Sequence, residues 1–328
     1  MGKESRYKFV SSPFFLGLYL IFMLVTSFIL SDGQINFTPA KWIPIFAGVI
    51  DTESISTTIS VLTAVAIISF TAFSLYFVNE KIFSCGKSSS SLFLIYLILL
   101  LSSPETIFLS GATVAAPLFL WSLYYSMITK EGDKNLFMAL FLISLATLFD
   151  FHSVVLIPFI LYYSLVTSSF ALRGILVAVG AILVPYILLF SFRYLMFDDT
   201  SLFAELLVTD LLSFSSPYIY LESVAKIVLI IFMVLIITRA LISIFSIINR
   251  YKVVKSIGLV RNISLMLVLI GAMLIYRESQ GMLTNLLALP LSFIIVEYLS
   301  LKSTNRYRRV EFFVLLILIV LNRVAQFV

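Results

Sequence analysis

Uncharged apolar runs recur along the whole chain, and they constrain its fold more than any other feature. The stretch from Ile55 to Val78 contains no Asp, Glu, Lys or Arg. Runs of about 18 or more apolar residues are candidate membrane spans. In hydrocarbon the backbone N–H and C=O groups must be satisfied within the protein, so each run is read as a helix. The composition agrees: 61% of the residues are hydrophobic and 12% charged, against about 45–50% and about 25% in a soluble domain. No polar stretch is long enough for a separate soluble domain. Residues 1–328 are therefore expected to form a single integral membrane domain, an all-α polytopic helix bundle.

Eleven segments can be laid out. Segment 1 is Pro13 to Leu30, an uncleaved signal-anchor with no small-x-small cleavage site after it. Segment 2 is Ile55 to Val78. Segments 3 and 4 (Ser91 to Ser103, Leu109 to Ile128) form a tight hairpin, as do segments 5 and 6 (Asn135 to Phe149, Ser153 to Phe170). Segments 3 and 5 are short, covering about 20–22 Å of a hydrocarbon core of about 30 Å. Segment 7 is Gly174 to Phe197, interrupted by Pro185, and segment 8 is Val224 to Ile248. Segments 9, 10 and 11 are Ile263 to Tyr276, Met282 to Ser300 and Glu311 to Val328.

The loops between the segments sort by charge. One set holds 16 of the 22 Lys and Arg residues, while the opposite set and adjoining segment ends hold 11 of the 17 Asp and Glu residues. The positive-inside rule then places the N-terminus inside and the C-terminus outside. Two long outer loops result, 31–54 and 198–223. In the second, Ser201, Glu205, Thr209 and Ser213 recur every four residues among apolar ones, the spacing of an amphipathic helix lying at the interface.

Several classes of chemistry are excluded or unsupported. Cys85 and His152 are the sole cysteine and histidine. An intrachain disulfide is ruled out, and so are the usual zinc constellations. No metal or cofactor is called, although a carboxylate-bound divalent cation stays open. The Walker A, Gly-x-Gly-x-x-Gly, His-Glu-x-x-His and Gly-x-Ser-x-Gly motifs are absent. The net charge of +5 sits in short loops rather than on one patch, which argues against nucleic acid. The expected partners are membrane lipids and a second membrane protein.

The residues with a plausible chemical role, apart from Arg239, fall towards the acidic side. Glu105 follows Pro104 in the first hairpin turn. It reads either as a general base or cation ligand, or as a first-turn acid favoured by the dipole of the next helix. Asp150 and His152 occupy the second turn. Two residues apart, they do not share a helix face, but a tight turn brings them together, where the carboxylate would orient the imidazole. The alternative is a turn residue capping segment 6. Asp32, at the end of segment 1, reads as a catalytic base or as a boundary marker. Arg193 and Arg277, near outer ends, read as phosphate ligands or as snorkelling residues. Arg239 lies about 15 Å deep by helical rise and requires a partner, as does Arg323. Glu297 reads as an inner-end pairing or snorkelling residue.

Two stretches carry a resemblance: Ser103-Pro104-Glu105 running into Ala-Thr-Val-Ala-Ala-Pro-Leu-Phe-Leu-Trp-Ser-Leu, and Leu145-Ala-Thr-Leu-Phe-Asp150-Phe-His152. They resemble an uncharacterised multi-pass membrane family of Bacteroidota over roughly residues 90 to 200. The wider layout is similar to the GT-C glycosyltransferases, with a multi-span bundle, a long first outer loop and interfacial helices. That likeness implies an outer carboxylate as base, mapped here to Asp32, and a polyprenyl-phosphate-linked sugar as donor. The chain departs from the class in lacking a paired Asp-Glu in this loop and in its length. The leading expectation is a multi-pass protein of the bacterial inner membrane in cell-envelope biogenesis, a GT-C-like glycosyltransferase at the outer face. The alternatives are a non-catalytic subunit of a membrane complex, or a transporter or lipid flippase.

Overall fold

The computed structural model describes residues 57–83, 89–100, 102, 109–128, 132–168, 172–197, 205, 208, 224–276, 280–301 and 305–324. Segment 1, the outer loop 31–54 and the expected amphipathic helix of 198–223 lie outside the described residues, apart from Glu205 and Val208 in the last.

Among the described residues the chain is all-helical, with ten α-helices. In chain order they are α1 (Thr57–Val78), α2 (Ser89–Leu100), α3 (Gly111–Met127), α4 (Gly132–Phe149), α5 (Ile157–Ser168), α6 (Leu172–Phe197), α7 (Val224–Phe245), α8 (Val253–Ile275), α9 (Gln280–Ser300) and α10 (Asn305–Val324). A wide π-type turn, Asn79–Phe83, extends α1, and a 3-10 turn, Phe151–Leu156, leads into α5.

Among the described residues six helical stretches are long and apolar enough to cross a membrane, in α1, α4, α6, α7, α8 and α9; of the eleven expected spans, segment 1 lies outside those residues. The segment starts differ from expectation in three places, the first being segment 11, where α10 begins at Asn305 and not at Glu311. Segment 5 is not short, because α4 begins at Gly132 and reaches 18 residues. Segment 9 begins ten residues earlier, since α8 starts at Val253 and runs 23 residues. Arg261, two residues before the expected start of segment 9, thus lies inside a helix. Segment 3 does stay short: α2 has 12 residues.

The helices divide by how much of their surface they bury. In α9 the apolar window is 78% buried, in α6 and α7 only 22%. α9 packs against α2, α3, α7, α8 and α10 and forms the centre of the bundle. α6 and α7 turn large apolar side chains outward, among them Leu176, Leu188, Leu195, Ile231 and Ile242. Exposed apolar side chains in such number suit lipid and not water.

Small and hydroxyl residues let the helices approach closely. A Cβ on Gly111 would stand 2.0 Å from the Phe149 carbonyl oxygen, so the start of α3 lies directly against the end of α4. Ser122 of α3 donates to the Ala139 carbonyl of α4 at 2.7 Å, and Ser144 of α4 to the Ile182 carbonyl of α6 at 2.7 Å. Asn262 of α8 donates to the carbonyl of Pro290, the proline inside α9, at 2.9 Å. Phe83 of the wide turn stacks on Phe293 of α9 with centroids 4.1 Å apart.

Inter-helix contacts gather the helix ends into two groups. At one end Leu109 donates to Ser60, Gly111 meets Phe149, and His152 meets Tyr276. The other end carries the ionic contacts. Lys255 pairs with the buried Glu297 at 2.9 Å, and the Tyr251 hydroxyl donates to the same carboxylate. Arg239 pairs with Glu311, whose second oxygen accepts from the Tyr298 hydroxyl at 2.7 Å. The partner that the sequence demands for Arg239 is thus a carboxylate 72 residues away. Glu297 is a pairing residue, too deeply buried to snorkel. Of Arg323, only its place in α10 is described.

Candidate functional site

The turn between α4 and α5 supplies the candidate site. Asp150 follows the last residue of α4 in an extended conformation (φ −132°, ψ 102°), which breaks the helix and reverses the chain into the 3-10 turn. Its backbone serves both helices. The N–H donates to the Ala146 carbonyl at 3.0 Å, and the C=O accepts from the Ser153 N–H at 3.0 Å and from the Ser153 hydroxyl at 2.6 Å.

The Asp150 side chain takes no part in this capping. Its Oδ1 lies 3.3 Å from His152 Nδ1. Its Oδ2 is buried and has no hydrogen-bond partner. The residue therefore occupies the cap position expected of a turn acid, but its carboxylate is directed at the imidazole. The two side chains differ in access: that of Asp150 is 1% exposed, that of His152 17%. The ring of His152 also meets Tyr276, the residue that ends α8, edge to face at 4.9 Å between centroids.

A neutral polar cluster lies at the same end of the bundle. Ser110 caps α3, accepting from the Thr113 N–H at 3.2 Å, and the two hydroxyls are 2.9 Å apart. Asn285, from the first turns of α9, donates towards Thr113 Oγ1 at 3.2 Å and leaves its own Oδ1 buried without a partner. Gly111, next to Ser110, touches the backbone of Phe149 and Asp150, which ties the two groups together.

Arg193 belongs to the same level. Ser144 bonds to Ile182, Thr147 to the Tyr186 hydroxyl at 2.6 Å, and Leu148 clusters with Leu189, so α4 and α6 run side by side in register. Continuing that register brings Arg193 level with the 151–152 turn, on the α6 face that carries Tyr186, Leu189 and Phe190. Arg193 is 1% exposed, so it does not snorkel to the surface.

Of the sequence candidates, the structure brings Asp150 and His152 together and buries Arg193 near the end of α6. Asp32, Glu105 and Arg277 lie outside the described residues. Among the described residues no group of three or more His, Cys, Asp or Glu side chains could hold a metal ion. Tyr276, Ser110, Thr113 and Asn285 went unnoticed in the sequence. An amide inside an apolar run was the available signal for Asn285, because such a group must find partners in the bundle interior. No family model, curated protein or solved structure matches the chain.

Proposed function

We propose that the protein is a glycosyltransferase of the bacterial inner membrane, serving cell-envelope biogenesis and acting on a polyprenyl-phosphate-linked sugar at the outer face. The observation that carries the reading is the buried Asp150 carboxylate held on the more accessible His152. A carboxylate on Nδ1 fixes the tautomer that keeps Nε2 as the base and stabilises the imidazolium that forms on proton transfer. His152 is the catalytic residue in this scheme, and Asp150 is its positioning residue.

The reaction follows from these roles. His152 Nε2 takes the proton of an acceptor hydroxyl, whose oxygen attacks the anomeric carbon of the donor sugar. The bond from that carbon to the phosphate oxygen breaks, and its electron pair leaves with the prenyl phosphate. Arginine neutralises that charge. Arg193 is assigned this part, together with Arg277, the residue after Tyr276 in the chain. The acidic loop set and the GT-C likeness support the outer face as the working side. By that likeness Asp32 and Glu105 are further carboxylates for the same cavity.

The test is sugar transfer from a polyprenyl-phosphate donor in proteoliposomes. Asp150→Asn is expected to lower turnover by roughly a hundredfold or more, by analogy with a dyad that loses its orienting charge, with KM little changed. His152→Ala should lower it at least as far. Folded variants of both that leave transfer and the cell's envelope glycans unchanged would remove the enzyme reading.

A further inference from the structure

Tyr298, near the end of α9, stands among charged groups of α7 and α10. Arg308 lies over its ring, 4.7 Å from the centroid. Its hydroxyl donates to Glu311, the carboxylate that pairs with Arg239. Two arginines and one carboxylate thus surround this tyrosine, a formal excess of one positive charge. The two arginines differ in access. Arg308 is 6% exposed and donates to the Tyr298 and Leu301 carbonyls at the end of α9. The Arg239 side chain is 61% exposed. Glu311 accepts from its Nη1, one of the five N–H donors that a guanidinium carries.

The sequence of α10 marks the depth of this group. Arg306, Arg308 and Arg309 in its first turns give way at Val310 to an apolar stretch that runs to Asn322, in which Glu311 is the sole charge. Glu311 and its partner Arg239 therefore stand where the charged turns end and the apolar stretch begins, the level at which arginine meets lipid headgroups. From Arg239 towards the middle of the bundle, α7 presents Leu235 and Ile231 at four-residue spacing on the same face, and both are exposed. On α10, Ile317 and Leu321 are exposed in the same way.

We infer that Arg239 binds the phosphate of an anionic phospholipid, whose acyl chains lie on the exposed apolar faces of α7 and α10. The planar guanidinium fork matches phosphate oxygens, and its exposed side leaves room for a headgroup. A zwitterionic headgroup brings its own cation, so the positive excess around Tyr298 selects a lipid of net negative charge. The surface lies at the opposite end of the bundle from Asp150 and His152 and does not rest on their chemistry.

The test uses the full chain in nanodiscs of equal phosphatidylglycerol and phosphatidylcholine, transferred to mild detergent, with retained lipid counted by native mass spectrometry. Phosphatidylglycerol should be retained about fivefold over phosphatidylcholine, the factor expected of one cation at the headgroup level. Arg239→Gln should erase the preference. Arg250→Gln, at an exposed arginine in the turn after α7, should leave it intact. Should Arg239→Gln fail to fold, Arg239→Leu with Glu311→Leu removes the guanidinium without stranding the carboxylate, and it should erase the preference too. Equal retention of the two lipids by the wild type overturns the inference. So do equal losses from Arg239→Gln and Arg250→Gln, which would mean diffuse attraction to the basic end. A lipid-free dimer that Arg239→Gln dissociates would assign the face to a second copy of the chain and overturn it as well.

Discussion

Gly111 and Phe149 meet backbone to backbone: the position a Gly111 Cβ would take lies 2.0 Å from the Phe149 carbonyl oxygen. The obstacle is main chain at the end of a helix, so no rotamer change can relieve it. Gly111→Ala should therefore push α3 away from α4 and disturb the turn that presents Asp150. Overpacking of this kind costs about 1–3 kcal/mol. A thermal unfolding midpoint in detergent equal to that of the wild type would show that the junction is looser than described.

Lys255 and Glu297 form a pair that tolerates loss of both charges better than loss of one. Their side chains are 17% and 2% exposed. Glu297→Gln removes the charge that faces the Lys255 ammonium and the Tyr251 hydroxyl, and the half-shielded site should lose about 1–3 kcal/mol. Lys255→Met combined with Glu297→Gln should recover a large part of that loss. A double-mutant cycle on chemical unfolding checks the sign, and strictly additive effects would contradict the pairing.

The pair between Arg239 and Glu311 joins α7 to α10 on the outside of the bundle, where the Arg239 side chain is largely exposed. If that surface meets lipid, Glu311→Leu strands a guanidinium there. The expected order of thermal midpoints is wild type above Arg239→Leu with Glu311→Leu, and the double variant above Glu311→Leu alone. Restoring full stability in the single variant by changing lipid thickness would point to snorkelling instead.

Asn285 and Asn262 both leave a buried Oδ1 without a partner, but their amide groups differ in use. Asn262 holds the Pro290 carbonyl at 2.9 Å, while Asn285 reaches Thr113 at 3.2 Å and Ser110 at 3.5 Å. Asn262→Ala should lower the midpoint more than Asn285→Ala. Equal losses would mean that the cluster around Asn285 is tighter than its distances indicate.

Much of this architecture was legible because lipid leaves the backbone few options. Apolar runs mark α1, α6, α7 and α9 to within a few residues, and the meeting of Asp150 with His152 follows from a two-residue turn. The misplacement of segment 9 has a physical cause. Lys252, Lys255, Arg261 and Asn262 lower the local hydropathy and imitate a loop. Yet Lys255 is neutralised by Glu297, while Arg261 is solvated by Ser126, Thr167 and Tyr163. These partners lie 42 to 135 residues away in the chain. A charge read along one dimension cannot show which helix will satisfy it. The neutral groups Ser110, Thr113 and Asn285 were missed for a related reason, since a hydroxyl or an amide scarcely alters an apolar average.

The central place of α9 has a consequence for how the molecule is made. Its five neighbours include α2, α3, α7 and α8, all synthesised before it. Until residue 280 emerges, the faces of those helices that pack on α9 have no partner from it. Chains interrupted before that point would expose the faces that receive Leu283, Leu286, Phe293 and Ile294. Quality control in the membrane would meet every such fragment with an uncovered apolar face, and its recognition by a membrane protease should end once α9 has inserted.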